Sequence, residues 1–495
     1  MSQGRALLLI LGGAGFRTES RGNAVTDKNL PTLFRQMHEA GFALLDAAGD
    51  AVGLEAGQVG NSEVGHLSLG AGEVVDSMVR RLLHAYEDGS WAAHPVWTSL
   101  GQSQTLHIVG LLSDAGVHAL SRTLVQASHI ASRKGIREIL IHPVFDGVDS
   151  QTGSAPALLD ELRAMLGQIP QARLGVVQGR QHFLDDSGDL AKTRIATNAL
   201  CGYTDLEPFD LEELREHLDD EQCESTFPAM LVPGGRAIQP GENVLLTNHL
   251  AEGVRQIGTV LSDSQPLYSV VDLGSFEGHS IPTADVFFPQ PPRTRGLAFE
   301  LRRHGIPSLR IADSSKLPHV THFFNGLDPA VEGQGECIDS TAEKGVRQQP
   351  GLSSREVTDR IIAAMQHPGR RAIIANMADL DQAGHTGDLK LCKTAAKAID
   401  KCYQRLVEAA KENGFTILVT ADHGNADTML DEHGQPSGSH TAEPVPFVIQ
   451  PAPNLRMEWQ RKKGALANVA STYLEALGVR APRWMAPSLA RIRSR

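Results

Sequence analysis

The fold of this chain is decided by an apolar run that ends in charged and imidazole side chains, FTILVTADHG at residues 415–424. Its apolar part, residues 415–420, is typical of a buried β-strand, and Asp422 and His423 follow where that strand would end. Two more runs have the same form: ALLLIL at residues 6–11 and AIIA at residues 372–375. Parallel strands of an α/β sheet carry functional side chains at their carboxyl ends, so the pattern predicts an α/β fold.

Two amphipathic helices are predicted between these runs. Val357, Ile361 and Met365 follow helical spacing, and Ser353 with Glu356 is typical of a capping box ahead of them. A second helix is predicted to end at Gly414, after an apolar stripe of Ala395, Ile399, Cys402 and Leu406.

The stretch from about residue 80 to 290 alternates strands and helices of its own. Its candidate strands are residues 105–112, 138–142, 174–178 and 244–247. The run PQPP at 289–292 cannot continue a helix or a central strand, so it marks a connector. We therefore expect a first domain at residues 1–78 and 293–495, interrupted by an inserted α/β domain at residues 79–292.

Composition excludes several classes of protein. The formal charge is −12, without a basic block, which argues against nucleic-acid binding. Five scattered cysteines with no CxxC pair favour a reducing compartment, and the first apolar run is too short to span a membrane. We expect a cytoplasmic monomer that binds neither nucleic acid nor membrane.

Carboxylate and imidazole side chains are concentrated in three segments near the C-terminus. These are Asp381-x-x-x-His385, Asp422-His423 and His440. Alone, each pair is more typical of a turn at the end of a strand, but three together predict a metal centre. Asp and His without Cys suit Mn²⁺ or Zn²⁺, and two such ions can hold the attacking and leaving oxygens of a phosphoryl transfer.

A second candidate site is the loop GNSEVGH at residues 60–66. Small residues there permit close backbone approach, and Ser62 could act as a nucleophile if a metal or base activates it. The alternative is a serine that caps a helix in a Gly-rich turn. Spacing alone leaves both interpretations open.

Three strings in this chain resemble the cofactor-independent phosphoglycerate mutases of the alkaline phosphatase superfamily. They are GNSEVGHLSLGAG at residues 60–72, KLPHVTHFFNG at 316–326 and TADHGNAD at 420–427. The resemblance continues along nearly the whole chain and implies an alkaline-phosphatase-like phosphatase domain interrupted by a transferase domain. It also implies interconversion of 3-phosphoglycerate and 2-phosphoglycerate through a phosphoserine, with two divalent ions, Mn²⁺ before Zn²⁺.

The resemblance assigns roles residue by residue. Asp381, His385 and His440 match the ligands of one metal, and Asp422, His423 and Ser62 match three ligands of the second. Ser62 and Lys316 match catalytic positions. The positions that match contacts to a small phosphorylated acid are His118, Asp149, Arg180 and Lys316.

One metal position departs from the family. Its members end the first strand with Leu-Asp-Gly-Trp-Gly, and that Asp binds the second metal, whereas this chain has Gly12. Three outcomes are open: another carboxylate such as Asp46, Asp50 or Asp379 replaces the ligand, the second metal is held weakly, or it is absent.

The substrate positions depart as well. Family arginines that grip anionic groups are replaced by Val148, Asp186, Leu250 and Gly253, and Arg194 or Arg255 could compensate. The mutase reaction is thus the first hypothesis, on phosphoglycerate or a related phospho- or phosphono-acid. The alternatives are a metal-dependent phosphohydrolase and a catalytically impaired paralogue with a binding or regulatory role.

Overall fold

The computed structural model forms two compact units. One comprises Met1–Ser77 with Pro292–Arg495, and the other comprises Met78–Pro291. The described residues are 4–101, 104–116, 118–184, 189–219, 223–248, 256–261, 269–272, 285–289, 293–326, 335–338, 349–431 and 433–495.

The sheet of the first unit has a parallel centre and an antiparallel flank. Its strands lie in the order Gly335–Ile338, Ser308–Asp313, Ala372–Met377, Arg5–Leu11, Phe415–Thr420, Val445–Gln450, Ala43–Asp46 and Lys463–Ala465. The first five run parallel, and Val445–Gln450 is antiparallel to both of its neighbours. A separate antiparallel pair joins Leu455–Trp459 to Ala490–Ser494.

Helices cover this sheet and bury its apolar strands, which are almost fully inaccessible to solvent. The α-helices of the first unit are Pro31–Ala40, Ser62–Ala71, Leu297–Arg303, Leu352–Gln366, Asp379–His385, Leu389–Asn413 and Asn468–Ala476. Two short turns of other helix types are Gly49–Val52 and His319–Phe323.

The second unit has its own sheet, parallel except at one edge. Its strands lie in the order Asp285–Val286, Ser269–Asp272, Asn243–Leu246, Thr105–Leu112, Glu138–Phe145, Val176–Gly179 and Met230–Leu231, and Ala172–Leu174 pairs with Glu138–Phe145. Its helices are Met78–Glu87, Ser90–Ala93, Val96–Leu100, Ser121–Arg133, Ala155–Leu166, Arg180–Phe183, Leu190–Leu200, Leu211–Asp219 and the 3₁₀ turn Glu224–Thr226.

The predicted α/β class is confirmed, and the predicted strands are present. The run at 415–420 forms the strand Phe415–Thr420 with the predicted bounds, and Thr105–Leu112 also matches. The predicted strand at 174–178 is divided between Ala172–Leu174 and Val176–Gly179. No helix among the described residues is long and apolar enough to cross a membrane.

The predicted capping box at Ser353 is wrong. The helix Leu352–Gln366 begins after Gly351, so Ser353 lies inside it, and its hydroxyl donates to Asp313. The carboxylate of Asp379, from another helix, accepts from the backbone N–H groups of Gly351 and Ser354 at 2.9 and 2.7 Å. A distant side chain thus satisfies the free donors that a local cap would otherwise take.

Candidate active site

The predicted metal ligands gather at the carboxyl edge of the first unit's sheet. The strand Arg5–Leu11 lies between Ala372–Met377 and Phe415–Thr420, and all three run parallel. Gly12 follows the first of these strands, and Asp381 and Asp422 follow the other two. Their convergence follows from the parallel topology, in which neighbouring strands end at the same edge.

Ser62 is the first residue of the helix Ser62–Ala71, whose N-cap is Asn61. The Asn61 side chain accepts from the N–H of Val64 at 3.1 Å, so Ser62 does not serve as the cap and its hydroxyl is available to the site. Its Oγ lies 2.5 Å from Lys316 Nζ and 3.0 Å from His423 Nε2. The interpretation of Ser62 as the helix cap is therefore wrong, and its hydroxyl contacts Lys316 and His423 instead.

Asp381 collects three imidazoles around one carboxylate oxygen. Its Oδ1 lies 3.5 Å from His385 Nε2, 3.8 Å from His423 Nε2 and 3.9 Å from His440 Nε2. Asp381 and His385 share a helix face because they are four residues apart. Oδ1 is buried without a hydrogen bond among the described residues, although Oδ2 accepts from Lys316 at 2.8 Å. A buried carboxylate oxygen without a donor, surrounded by imidazoles, fits a divalent cation.

The tautomers of His423 and His440 suit metal binding. His440 Nδ1 lies 2.9 Å from the carbonyl oxygen of Gly60, and His423 Nδ1 lies 3.2 Å from that of Gly424. A carbonyl only accepts, so each Nδ1 carries the proton and each Nε2 presents a lone pair to the site. Burial also holds the pKa of His440 well below its usual value, which keeps that imidazole neutral.

The charged side chains around Lys316 and Asp381 keep both of these buried residues ionised. Burial alone would raise the pKa of Asp381, but Lys316 and the imidazoles outweigh it and lower this pKa well below its usual range. Burial alone would lower the pKa of Lys316, whereas Asp381 and Asp422 raise it. The pair is therefore an ammonium and a carboxylate at neutral pH.

Asp422 forms the other half of the site. Its Oδ1 accepts from the backbone N–H groups of Gly13 and His423 at 3.2 and 3.1 Å. Its Oδ2 has no hydrogen bond among the described residues and lies 3.4 Å from His66 Nδ1 and 3.5 Å from His423 Nε2. Asp422, His423 and Ser62 thus meet as predicted for three ligands of a second metal.

No fourth side chain completes this half among the described residues. A Cβ built at Gly12 would lie 3.3 Å from Asp381 Cβ and 3.7 Å from Asn376 Oδ1, so a side chain at position 12 would begin beside Asp381. Of the suggested replacements, Asp379 is ruled out because its carboxylate caps the helix at Gly351 and Ser354. Asp46 and Asp50 are exposed, whereas Asp422 and His423 are fully buried. The residues present therefore fit one divalent ion at Asp381 and do not provide a full ligand set for a second.

Two buried residues of the site were missed by the sequence reasoning. His66 Nδ1 donates to the carbonyl oxygen of Ser62 at 2.7 Å, and His66 Nε2 accepts from the Asn376 amide at 3.1 Å. This arrangement leaves Asn376 Oδ1, beside Gly12, without a hydrogen-bond partner in the described part of the chain. The spacing of four residues between Ser62 and His66 was a signal in the sequence, whereas no pattern pointed to Asn376.

The predicted substrate residues of the second unit form a separate cluster. Arg180 Nη1 donates to Asp146 Oδ1 and Asp149 Oδ2, both at 2.6 Å, and His118 Nε2 lies 3.7 Å from Asp149 Oδ2. Burial, with help from the Arg180 charge, lowers the pKa of His118. His118, Asp149 and Arg180 therefore lie together, but the cation is already paired with two carboxylates.

Only some of the positions that replace family arginines, and of the arginines that could compensate for them, lie in the described part of the chain. Val148 is 63% exposed, next to the Asp149 cluster in sequence, and Arg194 is exposed on the helix Leu190–Leu200. Asp186, Leu250, Gly253 and Arg255 lie outside the described residues.

Comparison with known proteins identifies relatives over the full chain. A profile of the family described as Metalloenzyme superfamily matches residues 4–481. The 2,3-bisphosphoglycerate-independent phosphoglycerate mutase of Picosynechococcus sp. is 32% identical over 97% of this chain and 95% of the relative. The protein of the same name from Laribacter hongkongensis is 33% identical, with 96% of each chain covered.

A solved structure agrees with these relatives. Leishmania mexicana phosphoglycerate mutase, determined at low cobalt concentration, is 26% identical and superposes with a TM-score of 0.87 over 100% of this chain and 98% of that chain. The chain therefore belongs to the 2,3-bisphosphoglycerate-independent phosphoglycerate mutase family, within the metalloenzyme superfamily.

Proposed function

We propose that this protein interconverts 3-phosphoglycerate and 2-phosphoglycerate by metal-dependent phosphoryl transfer, with a phosphoserine intermediate on Ser62. The relatives that it matches over nearly their full length are named for this reaction. The observation that carries the proposal is the position of Ser62 Oγ, 2.5 Å from Lys316 Nζ and 3.0 Å from His423 Nε2. A serine hydroxyl is a weak nucleophile, and such neighbours are what it needs to react.

The protein's own groups suit each part of the transfer. As Ser62 Oγ bonds to phosphorus, the ester bond from phosphorus to the substrate oxygen breaks, and the serine proton ends on that leaving oxygen. His423 Nε2 presents a lone pair to Ser62 Oγ and is placed to take that proton on its way. Lys316 stabilises negative charge on Oγ, and the N-terminus of the ten-residue helix at Ser62 favours the phosphate that forms there.

We assign the metal to Asp381, His385 and His440, with Mn²⁺ as the first choice and Zn²⁺ as the alternative. Oxygen and imidazole ligands without thiolate suit these ions. When bound, such an ion supplies Lewis-acid stabilisation of charge on the phosphoryl oxygens.

In the second unit, we assign His118, Asp149 and Arg180 to binding of the phosphorylated acid. Asp149 can accept from a substrate hydroxyl, and Arg180 can donate to an anionic group with the guanidinium nitrogens that the carboxylates leave free. We accordingly propose residues 79–292 as a transferase domain and residues 1–78 with 293–495 as a phosphatase domain. A cytoplasmic location and a monomeric state are part of the same proposal.

Trapping the intermediate tests the function. Protein incubated with Mn²⁺ and 3-phosphoglycerate, then quenched in acid, should carry one phosphate on Ser62 by peptide mass spectrometry, and Ser62→Ala should abolish turnover. Ser68→Ala is the matched control, because Ser68 is also buried on the helix Ser62–Ala71. Full turnover by Ser62→Ala would exclude Ser62 as the nucleophile.

The same assay separates the alternatives. Release of inorganic phosphate without 2-phosphoglycerate would indicate a phosphohydrolase. Absence of both products and of the phosphoserine would indicate a binding or regulatory paralogue.

A further inference from the structure

The position beside Ser62 that a second divalent ion would take lacks a ligand at Gly12, but it already faces a side-chain cation. We propose that this chain binds one divalent ion and that the ammonium group of Lys316 replaces the second. This proposal rests on the proposed function, because it concerns how Ser62 is stabilised during phosphoryl transfer. Three observations support it: the missing ligand, the position of the ammonium group and the charge of the buried cluster.

The missing ligand is the first observation. Ser62, Asp422 and His423 are three donors, and Gly12 adds none. Ions such as Zn²⁺ take four ligands when held structurally, and three with an open position when catalytic. Here Ser62 is the reacting group itself, so Asp422 and His423 are the two remaining protein ligands among the described residues, one fewer than a catalytic site has.

The position of Lys316 is the second observation. The residue is 8% exposed, and its Nζ bridges Ser62 Oγ at 2.5 Å and Asp381 Oδ2 at 2.8 Å. The backbone N–H of Lys316 donates to Asp313 Oδ1, which fixes the turn from which the side chain reaches Ser62. An ion ligated by Ser62 Oγ would lie about 2.0 to 2.2 Å from that atom. The Ser62 oxygen already contacts the ammonium group, which can stabilise its charge where position 12 supplies no ligand for an ion.

The charge of the cluster is the third observation. The formal charges of three buried side chains, Asp381, Asp422 and Lys316, sum to minus one, and Lys316 Nζ is paired with Asp381 Oδ2 at 2.8 Å. One divalent ion brings the group to plus one, and a second would bring it to plus three. A carboxylate at position 12 would lower each value by one, and Gly12 removes that compensation.

One observation favours a second ion. Asp422 Oδ2 is buried and has no hydrogen bond among the described residues, as a ligand oxygen would. The number of bound ions must therefore be measured directly.

Manganese binding decides between one ion and two. Metal-free protein is titrated with Mn²⁺ in equilibrium dialysis, and the bound ion is examined by electron paramagnetic resonance. We expect one tight equivalent per chain and the six-line spectrum of an isolated Mn²⁺ ion. Two equivalents of similar affinity, with the spectrum of a spin-coupled pair, would overturn the proposal.

Two sets of variants locate the ion. Asp422→Asn, which is isosteric, should retain the tight ion, since this ion is assigned to Asp381, His385 and His440. Gly12→Asp should gain a second Mn²⁺ and the coupled spectrum, whereas Gly12→Ala, with a Cβ and no ligand, should bind one. Loss of the only tight ion in Asp422→Asn, or a folded Gly12→Asp that binds one ion, would contradict the proposal. If the close contact with Asp381 prevents Gly12→Asp from folding, wild type and Asp422→Asn still decide.

Failure of this proposal and failure of the proposed function give different results. Failure of the function would leave 2-phosphoglycerate unformed whatever the metal content. Failure of this proposal would give two bound ions in a protein whose Ser62 still becomes phosphorylated.

Discussion

A buried histidine cluster in the second unit and the candidate site of the first unit differ in how completely their polar atoms are paired. In the second unit, a network around His107 and His142 satisfies its polar atoms internally. In the first unit, Asp381 and Asp422 each bury a carboxylate oxygen that no described donor reaches. An unpaired buried polar atom lowers the stability of the folded protein. A bound ion or a catalytic role can explain why such an atom is retained. Of these two clusters, the incompletely paired one is the candidate metal site, and the fully paired one has a structural role.

The network of the second unit fixes each proton. The backbone N–H of Val176 donates to His142 Nδ1 at 2.9 Å, so the proton of His142 is on Nε2. That Nε2 donates to His107 Nδ1 at 2.9 Å, and His107 Nε2 in turn donates to Glu242 at 2.7 Å. Both imidazoles are neutral, and every ring nitrogen has a partner.

The largest effect should come from a substitution in the candidate metal site of the first unit. Asp381→Asn removes the charge that holds the divalent ion and Lys316, and we expect loss of the tight ion and a fall in turnover of about 10³-fold or more. Metal content and the rate of 2-phosphoglycerate formation measure this.

Asp379→Asn is the matched control, since Asp379 is equally buried in the same helix. It should retain the ion and lose stability, because its carboxylate caps another helix. Loss of the ion in Asp379→Asn would contradict the assignment of ligands.

A smaller effect should come from a substitution in the histidine network of the second unit. His142→Ala leaves the Val176 N–H without its acceptor and creates a cavity beside Gly175, so we expect a loss of about 2 to 4 kcal/mol in the stability of the second unit. Denaturant unfolding measures the loss, and Mn²⁺ binding should be unchanged.

The exposed pair Arg163 and Asp160 provides the control, since Asp160→Asn should cost less than about 0.5 kcal/mol. An equal effect of both substitutions would show that the network is not the stabilising feature.

The smallest effect concerns pH. Burial lowers the pKa of His107 and His142 below the usual value, against the influence of Glu242 on His107. The unfolded chain therefore binds more protons below a pH of about 6.5, and stability falls as the pH decreases, by at most about 1.4 kcal/mol per pH unit for each histidine.

Unfolding measured from pH 7 to pH 5 should show this slope, and it should be shallower in His142→Ala. Other buried histidines, such as His66 with its pKa lowered to about 4, contribute equally to both proteins. Identical slopes would exclude His142 as a source. Asp422 has the same sign at lower pH: burial alone would raise its pKa, but His423, His66 and Lys316 lower it to about 2, so this carboxylate reduces stability only in stronger acid.

Much of the candidate site was predictable because it depends on local spacing. Asp381 and His385 are four residues apart, which places them on one face of any helix that contains them. Asp422 and His423 follow an apolar strand, and the strand ends of a parallel sheet converge. The helix cap at Ser353 was predicted wrongly for the converse reason: its free N–H groups are bound by Asp379, and local sequence contains no sign of so distant a partner.

The sequence by itself determined the α/β class, the strand ends that carry the ligands, and the absence of a carboxylate at Gly12. Only the tertiary structure decided that Asp381 faces Lys316 whereas Asp379 faces a helix terminus. The two residues are two positions apart, and a helix turns about 100° per residue, so their side chains point in nearly opposite directions. Which direction meets the site depends on chain segments far away in sequence, as does the contact of Lys316 with Ser62 across 254 residues.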